Sequence, residues 1–238
     1  MNSTRKIAVM TGVIFIIATV AALAAAAVTP VLTGSDYLTQ VSAHANQVAA
    51  GAFLYLIAAF TSAGIAISLY SVLKERNAGL ALGSVVFRTI EAAFYMVAVV
   101  SLLSLLTLGQ QFTTVGVADR TLFQAIGDSL LSVRDHATLM GVFAFSLGAF
   151  MYYYLFFQSR LIPRWLSGWG IVAVILMMTA CVLALFSDNP VTGYTLLVLP
   201  IALQEMVLAV WLIVKGFNPL VSASRSGKTE TNELLSAP

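Results

Sequence analysis

The chain has 238 residues, of which 60% are hydrophobic and only 9% are charged, and its mean hydropathy is +0.94. A soluble domain cannot cover this much apolar surface with so few polar groups, and intrinsic disorder requires low hydrophobicity and high charge. The composition therefore predicts an integral membrane protein whose first partner is the lipid bilayer. The net charge of +2 arises from basic residues scattered along the chain, which does not indicate a nucleic-acid-binding surface.

Six apolar runs are long enough to cross the roughly 30 Å of bilayer hydrocarbon, for which a helix needs about 20 residues. They cover residues 7–28, 48–73, 80–108, 137–157, 165–186 and 193–214. The first run follows two basic residues and ends in alanines, as a secretory signal does, but its length of about 22 residues exceeds the roughly 7–15 of a signal core. We therefore expect an all-α fold, a polytopic membrane bundle of six transmembrane helices, with the first run retained.

The basic residues beside the spans predict the orientation, because cytoplasmic loops carry an excess of Lys and Arg. Nine of the twelve fall on the side of the N-terminus, while Arg120 and Arg134 fall on the other side and Arg88 lies within a span. Both termini are therefore expected in the cytoplasm. Four aromatic residues near this inner side, Tyr152 to Tyr154 and Trp165, are interpreted as anchors at the membrane surface.

Two outer segments carry apolar residues at helical spacing and predict amphipathic helices on the outer surface or over the bundle. The first lies within residues 29–47 and includes Tyr37, Leu38 and Val41. The second lies within residues 109–136, with Asp119 as a candidate N-cap. The membrane domain is expected over residues 1–217, and the polar residues 218–238 are expected to form a disordered cytoplasmic tail.

Three ionisable residues fall inside the predicted spans, namely Arg88 and Glu91 in the third and Glu205 in the sixth. Such residues cost about 2.5–3.5 kcal/mol each even on lenient scales, so they normally face the bundle interior and mark functional sites. At 1.5 Å per residue, all three lie about 13–18 Å from the inner ends of their helices. One face of the third helix carries a polar stripe: Ser84, Arg88, Glu91 and Tyr95. The sequence predicts that these residues meet Glu205 in a buried cluster.

One arginine neutralises one carboxylate, so the second glutamate should be neutral or easily titrated. Glu91 is expected to pair with Arg88 on its own helix, which leaves Glu205 as the neutral group. The cluster is interpreted as a proton relay, as an anion site, or as a tie that only holds helices together. Gln204 is a further candidate for ligand binding or ion coupling, and Pro200 frees the Leu196 carbonyl as a candidate ion ligand.

A metal site is only weakly indicated. Arg134, Asp135 and His136 form a polar cluster, and His44 lies in the other outer segment. Nothing in their spacing brings them together as a zinc site, so we interpret them as solvated surface residues. The single cysteine, Cys181, has no partner for a disulfide, and the common metal, dinucleotide and nucleotide motifs do not occur. We expect neither a metal nor a cofactor.

Three stretches of the sequence carry a family resemblance. They read NAGLALG at 77–83 with FRTIE at 87–91, SRLIPRWLSGWG at 159–170, and LPIALQEM at 199–206 with WLIVKGF at 211–217. From about residue 5 to residue 218 the chain resembles the domain-of-unknown-function 4386 family of bacterial multi-span membrane proteins. The resemblance implies a protein of the bacterial cytoplasmic membrane with an uncharacterised role, and it matches Arg88, Glu91 and Glu205 to polar positions of the family.

Three classes of function remain open from the sequence. The chain is a carrier or binding protein for a small molecule or ion, an intramembrane enzyme, or a structural, sensory or partner-binding protein without chemistry. The enzyme is the least favoured, because it would need a nucleophile beside a base or a metal cluster, and the predicted spans contain no histidine and no aspartate. Neither the ligand nor the oligomeric state is indicated.

Overall fold

The fold is that of a helical membrane bundle. The computed structural model describes residues 3–218, except residues 31, 33, 117, 118 and 188. Within that range there are seven α-helices, one 3-10 turn (Val191–Gly193) and no β-strand. The helices are α1 (Ser3–Val28), α2 (Tyr37–Ala43), α3 (Ala45–Leu73), α4 (Ala78–Phe112), α5 (Arg120–Ser159), α6 (Arg164–Leu185) and α7 (Thr195–Val214). The predicted all-α polytopic fold is confirmed, and the predicted tail beyond residue 218 lies outside the described residues.

The six long helices pack in a ring. Each is long and apolar enough to span a membrane. Around the ring α1 contacts α3, α3 contacts α4, α4 contacts α5, α5 contacts α6 and α6 contacts α7, while α7 returns to α1. At this last seam the guanidinium of Arg5 donates hydrogen bonds to the carbonyls of Leu212, Ile213 and Val214. These carbonyls end α7 and have no partner within the helix, so Arg5 caps α7 and joins the first span to the last.

The ring has two distinct ends. One end, here called the basic end, carries the start of α1 and the turns between α3 and α4 and between α5 and α6, with Arg5, Lys74, Arg160, Arg164 and Lys215. The other end, here called the α2 end, carries α2, the start of α5 and the 3-10 turn before α7. At the basic end Asn77 caps α4, its side chain accepting from the Leu80 amide at 3.0 Å, and Pro163 precedes α6.

The outside of the ring carries large apolar side chains, whereas small residues lie at many of the contacts between its helices. Large aliphatic and aromatic side chains point away from the bundle, among them Phe60, Ile67, Val100 and Val210, all more than half exposed. Between the helices lie small side chains and glycines, which let backbones approach each other in a bilayer. This pattern is what lipid on the outside and helix packing on the inside require, and it agrees with a multi-pass membrane protein.

Both predicted outer segments are helical, but only the first forms a separate helix. The first is α2, whose Tyr37 and Leu38 are buried against α4 rather than lying on the surface. Burial and the nearby carboxylate of Asp128 raise the pKa of Tyr37, so its hydroxyl stays protonated and donates to Asp128 at 2.9 Å. The second is helical as expected, but it is continuous with the fourth span in the 40-residue helix α5. The polar residues 134–136 mark a change of environment and contain no helix breaker, so the backbone hydrogen bonds continue through them.

Candidate functional site

A buried ion pair lies in the middle of α4. Nη1 of Arg88 lies 3.2 Å from Oε2 of Glu91, and the two residues are only 2% and 3% exposed. The guanidinium lies 4.5 Å from the centre of the Phe145 ring on α5, and its Nε donates a long hydrogen bond of 3.4 Å to the Ser62 carbonyl on α3. Arg88 therefore joins three helices while it neutralises Glu91, as the i, i+3 spacing predicted.

A glycine on the neighbouring helix makes room for this arginine. A Cβ atom at Gly148 of α5 would lie 3.0 Å from Cγ and 3.2 Å from Cδ of Arg88. Those distances are shorter than ordinary van der Waals contact, so a larger residue would push the arginine stem aside. The position of the charge in the bundle therefore depends on Gly148, which no sequence pattern singled out.

The second carboxylate lies close to the ion pair without joining it. Glu205 on α7 is partly buried, and the Tyr152 hydroxyl donates to its Oε1 at 3.4 Å. Glu205 lies within electrostatic range of Arg88, although the arginine makes its ion pair with Glu91. The structure thus gathers the three ionisable residues, and it gives Glu205 a phenol as its nearest polar partner.

Gln204, the neighbour of Glu205, has a different set of contacts. Its Oε1 accepts a short hydrogen bond from the Tyr153 hydroxyl, and its Nε2 donates to the Leu166 carbonyl at 3.1 Å. Both polar atoms of this fully buried amide therefore have a hydrogen-bond partner, one on α5 and one on α6. Gln204 is a tie between helices, with no contact to the ion pair.

The interpretation of the tyrosines as surface anchors is wrong for two of them. Tyr152 and Tyr153 are completely buried and donate to the groups on α7, whereas Tyr154 and Trp165 are 43% and 56% exposed. Successive helical residues point about 100° apart, so three adjacent tyrosines cannot all face the membrane surface. The spacing already indicated that at least one of the three must turn toward the bundle, without indicating which one.

Several polar atoms at the cluster retain unused hydrogen-bonding capacity. The hydroxyl of Ser84 is buried and makes no hydrogen bond to the described residues, and the Arg88 and Glu91 atoms of the ion pair are not aligned as a hydrogen bond. The Ser62 side chain faces Glu91 from α3, and Ser84 lies one turn before Arg88 on α4. Unused buried polar groups are costly, so they mark this cluster as a place where a further polar partner would be stabilised.

Tyr95 connects the cluster to a cavity of about 790 Å³ between the helices at the α2 end. Tyr95 lies one turn beyond Glu91 on α4, close enough to interact electrostatically with the charges of Glu91 and Arg88. A Cβ atom at Gly141 of α5 would lie 3.1 Å from the Tyr95 ring, so this glycine makes room for it. The cavity extends from exposed residues such as His136 and Asn189 down to Tyr95. A cavity of this volume suits a small molecule.

Aromatic side chains fill the space on the other side of the cluster. Tyr152 packs against Tyr153 with ring centres 4.5 Å apart and against the edge of Phe15 at 6.5 Å. Phe156 continues this layer to Phe217 at 6.1 Å. All five side chains are buried. The cluster therefore lies between a cavity on the α2 side and a packed aromatic layer on the basic side.

Two weaker sequence hypotheses find no support in this arrangement. The Leu196 carbonyl, expected to be freed by Pro200, lies in the first turn of α7, about 13 Å along the helix from Glu205, and Leu196 is 87% exposed. His44 and His136 each bond through Nδ1 to a carbonyl of the preceding turn, Gln40 and Ser132. Across the part of the chain that the structure describes, no three His, Cys, Asp or Glu side chains gather as a metal site.

The comparisons with known proteins identify the family of the chain. A family model described as a domain of unknown function, DUF4386, matches residues 10–216. This match covers most of the sequence and includes every residue of the cluster, so the chain belongs to that family. No curated protein and no solved structure matched the chain.

Proposed function

We propose that this member of the DUF4386 family binds a small molecule or ion in the cavity at the α2 end, with the cluster of Arg88, Glu91 and Glu205 as the polar part of the site. One observation carries the proposal, namely that Tyr95 lines the cavity and lies one helical turn from Glu91 of the buried ion pair. An accessible cavity that leads to convergent polar groups is the usual form of a ligand site.

The alternative is a structural or sensory protein in which the charges only hold helices together. A tie of that kind needs no cavity beside it, and well-packed apolar residues often stabilise a bundle as well as a buried ion pair. The unused hydroxyl of Ser84 also favours a binding role, because a finished structural network would satisfy it.

We further propose that the protein lies in the bacterial cytoplasmic membrane with both termini in the cytoplasm. The basic end would then face the cytoplasm and the cavity would receive its ligand from outside. The support is the excess of Lys and Arg at the basic end, which orients membrane proteins during insertion.

A pair of adjacent α4 variants tests the binding role. Ala98 lines the cavity, whereas Val97 is 47% exposed on the outside of the ring. Ala98→Phe should fill the cavity, and Val97→Phe adds the same ring on the lipid side. Both proteins and the wild type are reconstituted in nanodiscs and heated with a panel of inorganic ions, amino acids, amines, carboxylates and neutral amphiphiles.

At least one compound should raise the Tm of the wild type and of Val97→Phe without raising that of Ala98→Phe. If no compound stabilises the wild type, or if every shift is the same in the two variants, the cavity is not a binding site and the structural alternative holds.

A further inference from the structure

The cavity changes in chemical character along its depth. Its rim is polar, with Arg134 paired to Asp135 at 3.2 Å and with the exposed residues Ser132, His136 and Asn189. Its walls are apolar and come from four helices: Val99, Leu139, Met177 and Val198. Its deepest aromatic groups are two tyrosines, Tyr55 on α3 and Tyr95 on α4. A ligand that fills this space needs an apolar body and one polar group that reaches the tyrosines.

The two tyrosine hydroxyls are available to a ligand. Both tyrosines line the cavity, and neither makes a hydrogen bond within the described part of the chain. A phenol offers an acceptor oxygen, and its ring face attracts cations. The combination of two rings and two oxygens at the bottom of an apolar cavity is suited to a positively charged nitrogen.

The charged residues of the cluster next to Tyr95 also favour a positively charged ligand. Glu91 and Glu205 both interact with Arg88, and no second cation of the described chain lies within electrostatic range of either carboxylate. Two carboxylates and one guanidinium leave one excess negative charge when both carboxylates are ionised. In a medium of low dielectric constant such a charge is costly, so without a ligand the second carboxyl is expected to hold a proton, and a bound monocation would take the place of that proton as the neutralising charge.

We propose that the ligand is an organic monocation with an apolar body, such as an alkyl- or arylammonium, whose charged nitrogen lies at Tyr55 and Tyr95 and whose body fills the cavity. This inference rests on the proposed binding function and specifies its ligand class. An anion would meet the excess carboxylate with Arg88 already paired to Glu91, and a neutral molecule would gain nothing from that charge.

A matched series of probes tests the charge preference. Adamantane-1-ammonium, adamantane-1-carboxamide and adamantane-1-carboxylate share one rigid apolar body and differ in the charge of the polar group. Their affinities for the full-length protein in nanodiscs are measured by calorimetry at pH 7, with empty nanodiscs as the reference for partition into lipid. The ammonium should bind at least tenfold more tightly than the carboxamide, and the carboxylate should bind most weakly.

Equal affinity of ammonium and carboxamide, or tighter binding of the carboxylate, would overturn the cation preference and leave the proposed binding function in place. If none of the probes binds, and no compound of the wider panel distinguishes Ala98→Phe from Val97→Phe, the proposed function itself fails. The two failures are therefore separable.

Conservative variants locate the site. Tyr95→Phe removes one hydroxyl and should weaken ammonium binding about tenfold with little effect on the carboxamide. Tyr154→Phe makes the same change on a tyrosine that is 43% exposed on the outside, and it should bind as the wild type does. Glu205→Gln removes the excess charge and should reduce the difference between ammonium and carboxamide to less than threefold. An unchanged ratio in both Tyr95→Phe and Glu205→Gln would refute the site.

Discussion

Arg88 is the residue at which charge and the packing of three helices meet. Its guanidinium pairs with Glu91, lies on the Phe145 ring and donates to the Ser62 carbonyl, all within the bundle. Removing one partner of a buried pair typically costs about 3–5 kcal/mol, because the remaining charge has no compensation. We expect Arg88→Met to lower the thermal stability of the protein in nanodiscs strongly, by about that amount of unfolding free energy.

The double variant Arg88→Met with Glu91→Leu distinguishes an ion pair from simple loss of volume. Because it removes both charges, it should be more stable than Arg88→Met alone. Lys6→Ala, which removes an exposed positive charge, serves as the control and should melt close to the wild type. A double variant that is no more stable than Arg88→Met would show that the carboxylate of Glu91 does not depend on Arg88.

The hydrogen bond between Tyr153 and Gln204 can be tested by removing a single hydroxyl group. Its hydroxyl donates to the buried Oε1 of Gln204, which has no other donor among its described contacts. Tyr153→Phe should therefore destabilise the protein by about 1–3 kcal/mol, the cost of leaving a buried acceptor unsatisfied. Tyr154→Phe is the matched control on the adjacent, half-exposed position and should change the Tm little. Equal effects of the two changes would contradict the hydrogen bond.

At the scale of elements, the seam between α1 and α7 is the contact that closes the ring. A Cβ atom at Gly12 would lie 2.7 Å from the Ala209 carbonyl oxygen and 2.8 Å from Ile213 Cγ1. Gly12→Ala should force the two helices apart and cost about 1–3 kcal/mol, as overpacking does. The change is read as a Tm shift of the protein in nanodiscs.

Gly64→Ala is the control for this seam, because its new methyl group would lie at an ordinary 3.8 Å from Ile14. Alanine is the better helix former, so that variant should be neutral or slightly more stable. A Gly12→Ala protein that melts at or above the temperature of Gly64→Ala would exclude the close packing of α1 on α7.

The positions of the six spans could be predicted because hydropathy depends on composition over about 20 residues, whereas the ends of helices do not follow the membrane boundary. Residues 134–136 are polar, yet α5 runs through them, since leaving the hydrocarbon does not interrupt the backbone hydrogen bonds. Likewise Tyr152 and Tyr153 were expected at the membrane surface and lie in the core. Their direction depends on which side of α5 faces its neighbours, and hydropathy contains no information about that side.

The cluster itself was predictable in part. Arg88 and Glu91 share a face by spacing alone, and the cost of a charge in the membrane brings Glu205 to the same interior. Tyr152, Phe145 and Gly148 were missed, because each contributes from α5 and only the packing of α5 on α4 and α7 places it there. The cavity was beyond sequence reasoning for the same reason, since it is formed by the gaps between helices.

At the scale of the whole molecule, the two ends of the ring differ in charge and in packing. Lys and Arg gather at the basic end, where aromatic side chains fill the interior, and the cavity lies toward the α2 end. If the orientation follows the basic residues, the cavity faces outward and the closed side faces the cytoplasm. The proposed route of the ligand therefore depends on the topology, which can be measured separately.

Two cysteine variants at opposite ends of α5 test this topology, each in a Cys181→Ala background so that the added thiol is the only one. Ser129 is exposed near the α2 end and Gln158 is exposed at the basic end, and 29 residues of helix separate them by about 43 Å, more than the thickness of the hydrocarbon core. In intact cells a membrane-impermeant maleimide should label Ser129→Cys and leave Gln158→Cys unlabelled until the cells are permeabilised, because the basic end is expected in the cytoplasm. The reverse pattern would invert the bundle and place the cavity on the cytoplasmic side, and labelling of both positions in intact cells would exclude α5 as a span.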